Sequence, residues 1–425
     1  MTISHSNCFH NMPTQKIIII GAGFAGIQLL KHIDEDMFEV LLIDKLNHHQ
    51  FQPLFYQVAT SQIEPGSISF PLRKILQNRK NTQIRMATVT YIDADKKMIA
   101  TDIGAFGYDK LIIATGCRTN FFNNEQIRAN AYSLKSTYDA IKIRNNILQN
   151  FENLLTVSEE EREYLLNLVI IGAGPTGVEL AGAFAEIRNN ILPKDYPRLD
   201  FSKLRIILIE GSQHTLNSMS DMAKAASERY LKEMGVEIMT SVMVKAYDGA
   251  VVQLNNGQHI KSRQVIWTAG VTGNIVKGLS EEAVYRNRYK VDRLNRILTY
   301  DDIYAVGDIA YMITPKYPDG HPQVANVAIN QARNLAHNLH RAATGKHLKE
   351  FEYKDKGTMA TIGKKKAVVD LPYIKFKGFF AWIIWMFLHL MLILSVRNKL
   401  VIFINWAWLF FTRDTSLRLI LKEQE

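Results

Sequence analysis

Ile17-Ile18-Ile19-Ile20-Gly21-Ala22-Gly23-Phe24-Ala25-Gly26 decides the fold, because it returns 151 positions later as Leu168-Val169-Ile170-Ile171-Gly172-Ala173-Gly174-Pro175-Thr176-Gly177. Each copy reads as a buried strand, a glycine turn and the start of a helix. A single GxGxxG is weak, since glycine turns also serve ordinary loops. Here each copy is followed by an acid at the end of the next strand. Asp44, with Lys45 beside it, ends Val40-Leu41-Leu42-Ile43 eighteen residues after Gly26, and Glu210 ends Ile206-Ile207-Leu208-Ile209. The first glycine allows the tight turn, the second admits a pyrophosphate, and the third lets helix meet strand, while the helix N-terminus offers aligned N–H groups to the anion. An acid at the strand end accepts from a ribose diol and repels a 2′-phosphate, so both sites favour FAD or NAD(H) over NADP(H). The fold class is therefore α/β, with two Rossmann-like dinucleotide-binding domains.

Outward from these loops, the chain divides into an N-terminal tail (1–15), a first dinucleotide block (16–166), a second (167–298), a return to the first (299–350) and a C-terminal region (351–425). Glu210 lies thirty-three residues past Gly177. The excess reads as an insertion, 189–203, carrying Pro193 and Pro197. Ala114-Thr115-Gly116 and Thr268-Ala269-Gly270 close matching return strands. Val306-Gly307-Asp308 ends a further strand, and an aspartate there suits the ribityl chain of a flavin.

The 425 residues, 47% apolar and 22% charged, suffice for about two or three domains. Cys8 and Cys117, 109 positions apart, form no disulfide framework, metal knuckle or CxxxxC redox pair. No metal site is expected, and a buried thiol is the better reading of Cys117. The two cysteines fit a reducing compartment best, and the first fifteen residues lack a basic-then-apolar leader, so nothing argues for secretion. Of the net charge of +10, residues 351–425 supply +6, from twelve Lys/Arg against six Asp/Glu, and they hold four of the five tryptophans. Such a tail points to nucleic acid or to an anionic membrane. Two apolar runs, 379–394 and 400–411, are interrupted by Arg397-Asn398-Lys399 and are shorter than the roughly 20 residues that span a bilayer. Trp382, Trp385, Trp406 and Trp408 read as interface anchors, and Arg397 and Lys399 as headgroup contacts. A buried hairpin or a dimer interface is the alternative. Membrane, and not nucleic acid, fits best with two dinucleotide sites upstream, and a lipid-soluble quinone is the natural electron acceptor.

The residues resemble the type II, single-subunit, non-pumping NADH:quinone oxidoreductases over nearly the whole chain. The resemblance rests on both glycine loops, on Asn47-His48-His49-Gln50-Phe51-Gln52-Pro53-Leu54-Phe55-Tyr56-Gln57-Val58-Ala59-Thr60, on Lys194-Asp195-Tyr196-Pro197, on Trp267 to Val271, on Tyr304 to Asp308, on Lys356 to Gly363, and on the tail from Trp385 to Ile420. It implies non-covalent FAD on Gly21, Gly23, Phe24, Ala25, Gly26, Asp44, Lys45, Ala114, Thr115, Gly116, Asp308, Ala325 and Asn326. It implies NADH on Gly172, Gly174, Pro175, Thr176, Gly177, Glu210, Ala269 and Gly270. Glu179 takes the catalytic place, in the proton or hydride step. The partner is a membrane quinone, menaquinone or ubiquinone. The resemblance also implies a monotopic homodimer on the cytoplasmic face of the inner cell membrane, its C-terminal amphipathic segment serving membrane and dimer.

One stretch departs from the family. Where relatives show Ala-Gln-x-Ala-x-Gln-Gln, this chain has Ala325-Asn326-Val327-Ala328-Ile329-Asn330-Gln331. Asn326, Asn330 and Gln331 would face the quinone, two of them with reach shortened by about 1.5 Å. Altered quinone preference follows as an expectation. Two rivals remain: a sulfide:quinone flavoprotein, which needs a cysteine pair, and a redox-sensing membrane flavoprotein without turnover.

Overall fold

The computed structural model describes residues 15–414 and 417–421. The N-terminal tail before Gln15, Cys8 included, lies outside the described residues. Ten strands build two five-stranded parallel sheets: β1 (Gln15–Ile20), β2 (Phe38–Asp44), β3 (Thr82–Met86), β4 (Lys110–Ile113), β5 (Tyr132–Ser133), β6 (Asn167–Ile171), β7 (Arg205–Glu210), β8 (Val236–Thr240), β9 (Gln264–Trp267) and β10 (Ile303–Ala305). The orders are β10-β4-β1-β2-β3 and β5-β9-β6-β7-β8. Each glycine loop thus leaves the middle strand of its sheet, where the N-terminus of the following helix is aimed along the strand ends.

The chain forms two compact units. One is built from residues up to His49, Pro71–Arg118 and Thr272–Lys354, the other from Gln50–Phe70, Thr119–Val271 and the residues from Asp355 on. In the first, the alternation of a strand sorts one isoleucine run onto two cores. Ile17 and Ile19 pack with Leu29 and Leu30 of α1 (Phe24–His32) and with Leu335 and Ala336 of a long helix, Ala325–Ala343, whereas Ile18 and Ile20 pack with Ile92, Tyr289 and Val291. Each such side chain fully removed from water contributes about 1.5–3 kcal/mol.

In the second unit, α2 (Phe55–Ala59) packs on α3 (Thr137–Asn153), and β6 leads into α4 (Pro175–Asn190). Proline at the first turn of α4 costs nothing, because its missing N–H has no partner there anyway. A C-terminal antiparallel sheet, Thr358–Thr361, Ala367–Asp370 and Lys375–Lys377, lays its first strand along α4. The approach needs Gly182, where a Cβ would stand 2.8 Å from Gly363 N. The long helix of the first unit is α5 (Ala325–Ala343), and the tail ends in α6 (Phe379–Leu392) and α7 (Val396–Thr412). No described helix is long and apolar enough to cross a membrane.

Candidate active site

The two glycine loops have one geometry. Gly21 N donates to Ile43 O at 2.8 Å and Gly172 N to Ile209 O at 2.7 Å. Ala22 N donates to Asp44 Oδ2 and Ala173 N to Glu210 Oε2, both at 2.6 Å. The second acid oxygens accept from Leu46 N at 2.8 Å and Ser212 N at 2.9 Å. A Cβ on Gly26 would lie 1.9 Å from Gly21 O, and one on Gly177 1.8 Å from Gly172 O, so glycine is required at both. Gly23 and Gly174 have open space above them, and α1 and α4 start without a side-chain cap or an acid in the first turn. Uncapped N–H groups beside open space suit a pyrophosphate. Burial raises the Asp44 pKa, against the two N–H donors.

In the first unit, Ala114 follows β4 so closely that a Cβ on Gly21 would stand 2.5 Å from Ala114 O, Thr115 Oγ1 donates to Asn274 O at 2.8 Å, and Gly116 takes the left-handed conformation (φ 65°). Cys117 Sγ donates to Asp308 Oδ2 at 2.9 Å. Gln331 Oε1 accepts from Gly307 N at 2.8 Å, and its buried Nε2 has no partner. α5 begins at Ala325 with no side-chain cap and no acid. An orphaned buried amide, an uncapped helix and an aspartate converging at the ends of β1 and β10 fit FAD. Asn330 bonds back along its own helix, Nδ2 donating to Asn326 O at 2.7 Å within α5. His49, absent from the expected contacts, meets Ala22 O through Nδ1 at 2.9 Å and carries Phe24 edge-on at 5.3 Å. Lys45 is exposed and Ala25 buried.

In the second unit, Gly172, Gly174, Glu210, Ala269 and Gly270 line a cleft. Thr176, Thr268, Gly270, Tyr56 and Glu179 line an adjoining one. Tyr56 and Glu179 also form the wall of a third, apolar cavity, lined by Trp382, Trp385, Trp406 and Phe410. Glu179, 8% exposed, accepts from Thr361 N at 3.3 Å, and Trp385 Nε1 points at the same carboxylate without closing a full hydrogen bond. Burial pushes its pKa up to about 8, outweighing those donors, so the proton is retained at neutral pH. Behind it runs a buried network: Trp406 Nε1 donates to Gln57 Oε1 (2.8 Å), Gln57 Nε2 to Tyr56 Oη (2.9 Å), and Tyr56 Oη meets Thr361 Oγ1 at 3.0 Å. Burial, reinforced by Glu179, raises the Tyr56 hydroxyl pKa as well. A proton held between a polar and an apolar cavity can be passed to either.

Residues 15–332 match the family described as Pyridine nucleotide-disulphide oxidoreductase, and 356–414 match the NDH2 C-terminal domain. The chain is 32% identical to the type II NADH:quinone oxidoreductase Ndh of Mycobacterium tuberculosis over 93% of this chain and 88% of that one. It belongs to the type II NADH:quinone oxidoreductase family. A second Mycobacterium tuberculosis relative, NdhA, is 30% identical over 94% and 87% of the two chains. The NDH2 of Plasmodium falciparum shares the fold, with a TM-score of 0.89 at 23% identity, covering 96% of this chain and all of that one.

For this family member, the structure corrects one set of expected contacts. Trp385 and Trp406 are 1% and 5% exposed, so neither indole is an interface anchor. They face the cavity and each other, ring centroids 5.9 Å apart. Trp382 stacks on Phe379 and Phe410, while Trp408 and Arg397 are exposed and Lys399 partly so. Sequence reasoning missed Tyr56, Gln57 and Thr361 as neighbours of Glu179. Their only signal was polarity inside the otherwise apolar Phe55–Ala59 and Met359–Ile362 stretches.

Proposed function

We propose that this protein oxidises NADH held on the second glycine loop, with FAD on the first, and reduces a membrane quinone without moving protons. The observation that carries this reading is the shared wall of Tyr56 and Glu179, which faces the dinucleotide side through Thr176 and Gly270 and the aromatic apolar cavity through Trp385. FAD, when bound, supplies the two-electron chemistry. The chain's part is to bind through both loops, to select the ribose diol with Asp44 and Glu210, and to deliver a proton from Glu179 to a reduced quinone head. Thr361 N holds that carboxyl in place. The relatives' names, NADH:quinone oxidoreductase and internal alternative NAD(P)H-ubiquinone oxidoreductase, support the same chemistry.

The outward faces of α6 and α7, with Phe380 and Phe411 75% and 80% exposed, rest on an anionic membrane surface at its cytoplasmic side, and the protein works as a homodimer. Purified protein in anionic vesicles with NADH and a short-chain quinone tests the reading. Rapid NADH loss, absent with NADPH or with sulfide as donor, is expected. A reduced flavin that quinone does not reoxidise overturns it.

A further inference from the structure

Two exposed apolar side chains stand on opposite lips of the dinucleotide cleft of the second unit. Phe122 is 64% exposed and Met243 60%. Each is laid over a strand-end glycine: a Cβ on Gly270, after β9, would stand 3.4 Å from Phe122 Cζ, and one on Gly211, after β7, 3.3 Å from Met243 Cγ. Single exposed apolar residues are ordinary on a protein surface. These two are held there. Phe122 and Asn123 are consecutive left-handed non-glycines (φ 50° and 59°), a conformation that persists only where surroundings impose it. Here Phe122 N donates to Asn120 Oδ1 at 2.9 Å, and Trp267 Nε1 to Asn120 O at 2.8 Å. Met243 is pinned both ways to the hairpin turn, its N donating to Asn255 Oδ1 (3.0 Å) and its O accepting from Asn255 N (2.9 Å). Asn124 Nδ2 donates to Lys245 O at 2.8 Å and ties the two lips together.

We propose that Phe122 and Met243 are the two jaws of a preformed clamp on NADH. Met243, over Gly211 and next to Glu210, covers the adenine end. Phe122, over Gly270, covers the nicotinamide end, because Gly270 also lines the adjoining cavity with Thr176 and Glu179. A flat π face suits a ring or ribose, and a thioether adapts to a purine. This rests on NADH occupying the second loop.

The test is the binding of ligand fragments to the FAD-loaded protein: AMP, ADP-ribose and reduced nicotinamide mononucleotide. Met243→Ala is expected to weaken AMP and ADP-ribose by about tenfold, as for loss of one base-stacking contact, and to leave the mononucleotide unchanged. Phe122→Ala is expected to do the reverse and to raise KM for NADH about tenfold while kcat at saturation holds. Met243→Leu and Phe122→Tyr restore binding. Variants that bind every fragment like the parent, or lose all of them equally, overturn the clamp. Glu210→Ala separates the two levels. If it weakens AMP and Met243→Ala does not, only the clamp fails; if neither does, the placement of NADH fails and the clamp with it.

Discussion

Superimposing the repeats residue on residue, 151 positions apart, puts Gln28 of α1 where α4 has Glu179, and Lys31 where α4 has Gly182. The loops before them match to within about 0.1 Å in their paired hydrogen bonds. The covers differ. Over α1 lies α5, with Arg333 Nε donating to Gln28 Oε1 at 3.2 Å in partial exposure. Over α4 lies the Thr358–Thr361 strand, let in by Gly182, and it seals Glu179 against Thr361. One helix position is thus a solvated amide in the first unit and a buried acid in the second. A glycine loop specifies how a dinucleotide is held; what packs on the following helix specifies the chemistry beside it.

The comparison breaks most visibly at the third glycines. Gly26→Ala places a Cβ 1.9 Å from a carbonyl oxygen in the first loop, and flavin absorbance is expected to be lost from the purified protein. Gly177→Ala makes the same clash in the second loop, and there flavin is retained while NADH affinity falls by at least about tenfold.

Next in size is the acid. Glu179→Gln is expected to lower quinone reduction by about a hundredfold, the usual scale for a lost general acid, whereas Gln28→Glu stays within about twofold. Equal losses in both variants in steady-state assays would mean that the covers do not matter.

pH sharpens the same contrast. Quinone reduction in the parent protein should decline as pH rises through about 8, where Glu179 loses its proton, and that limb should be absent in Glu179→Gln. Stability follows the same sign. The folded-state pKa lies above the ordinary carboxyl value, so the stabilisation is complete at acid pH, below that value, and is lost as pH rises through about 8. Thermal unfolding of parent and Glu179→Gln from about pH 4 to about pH 9, which brackets the shift, checks it.

The smallest effect is expected at Gly182→Ala. Displacing the strand at Gly363 N should cost about 1–3 kcal/mol and lower Tm by a few degrees, while Lys31→Ala on α1 leaves Tm unchanged.

Short-range pattern made the two sheets legible. Four apolar residues before each turn, glycines at fixed offsets and an acid at the next strand end are set by local sterics and backbone hydrogen bonding, so they could be read without coordinates. Glu179 was a candidate through the family resemblance. Its neighbours were not, because Tyr56 meets Thr361 across 305 positions and Trp406 meets Gln57 across 349. No periodicity reports such pairs.

The tryptophans mark the boundary in the tail. Their clustering with lysine and arginine led to the expectation of a membrane-facing segment, but which indoles face out depends on how α6 lies on the sheet and α7 on α6. Two dinucleotide loops, an acid at each following strand end and two apolar runs too short to span a bilayer could be read from the sequence. Tertiary structure alone decided that Trp385 and Trp406 turn inward and that Glu179 is buried enough to keep its proton, since burial is a property of what distant segments bring to a side chain.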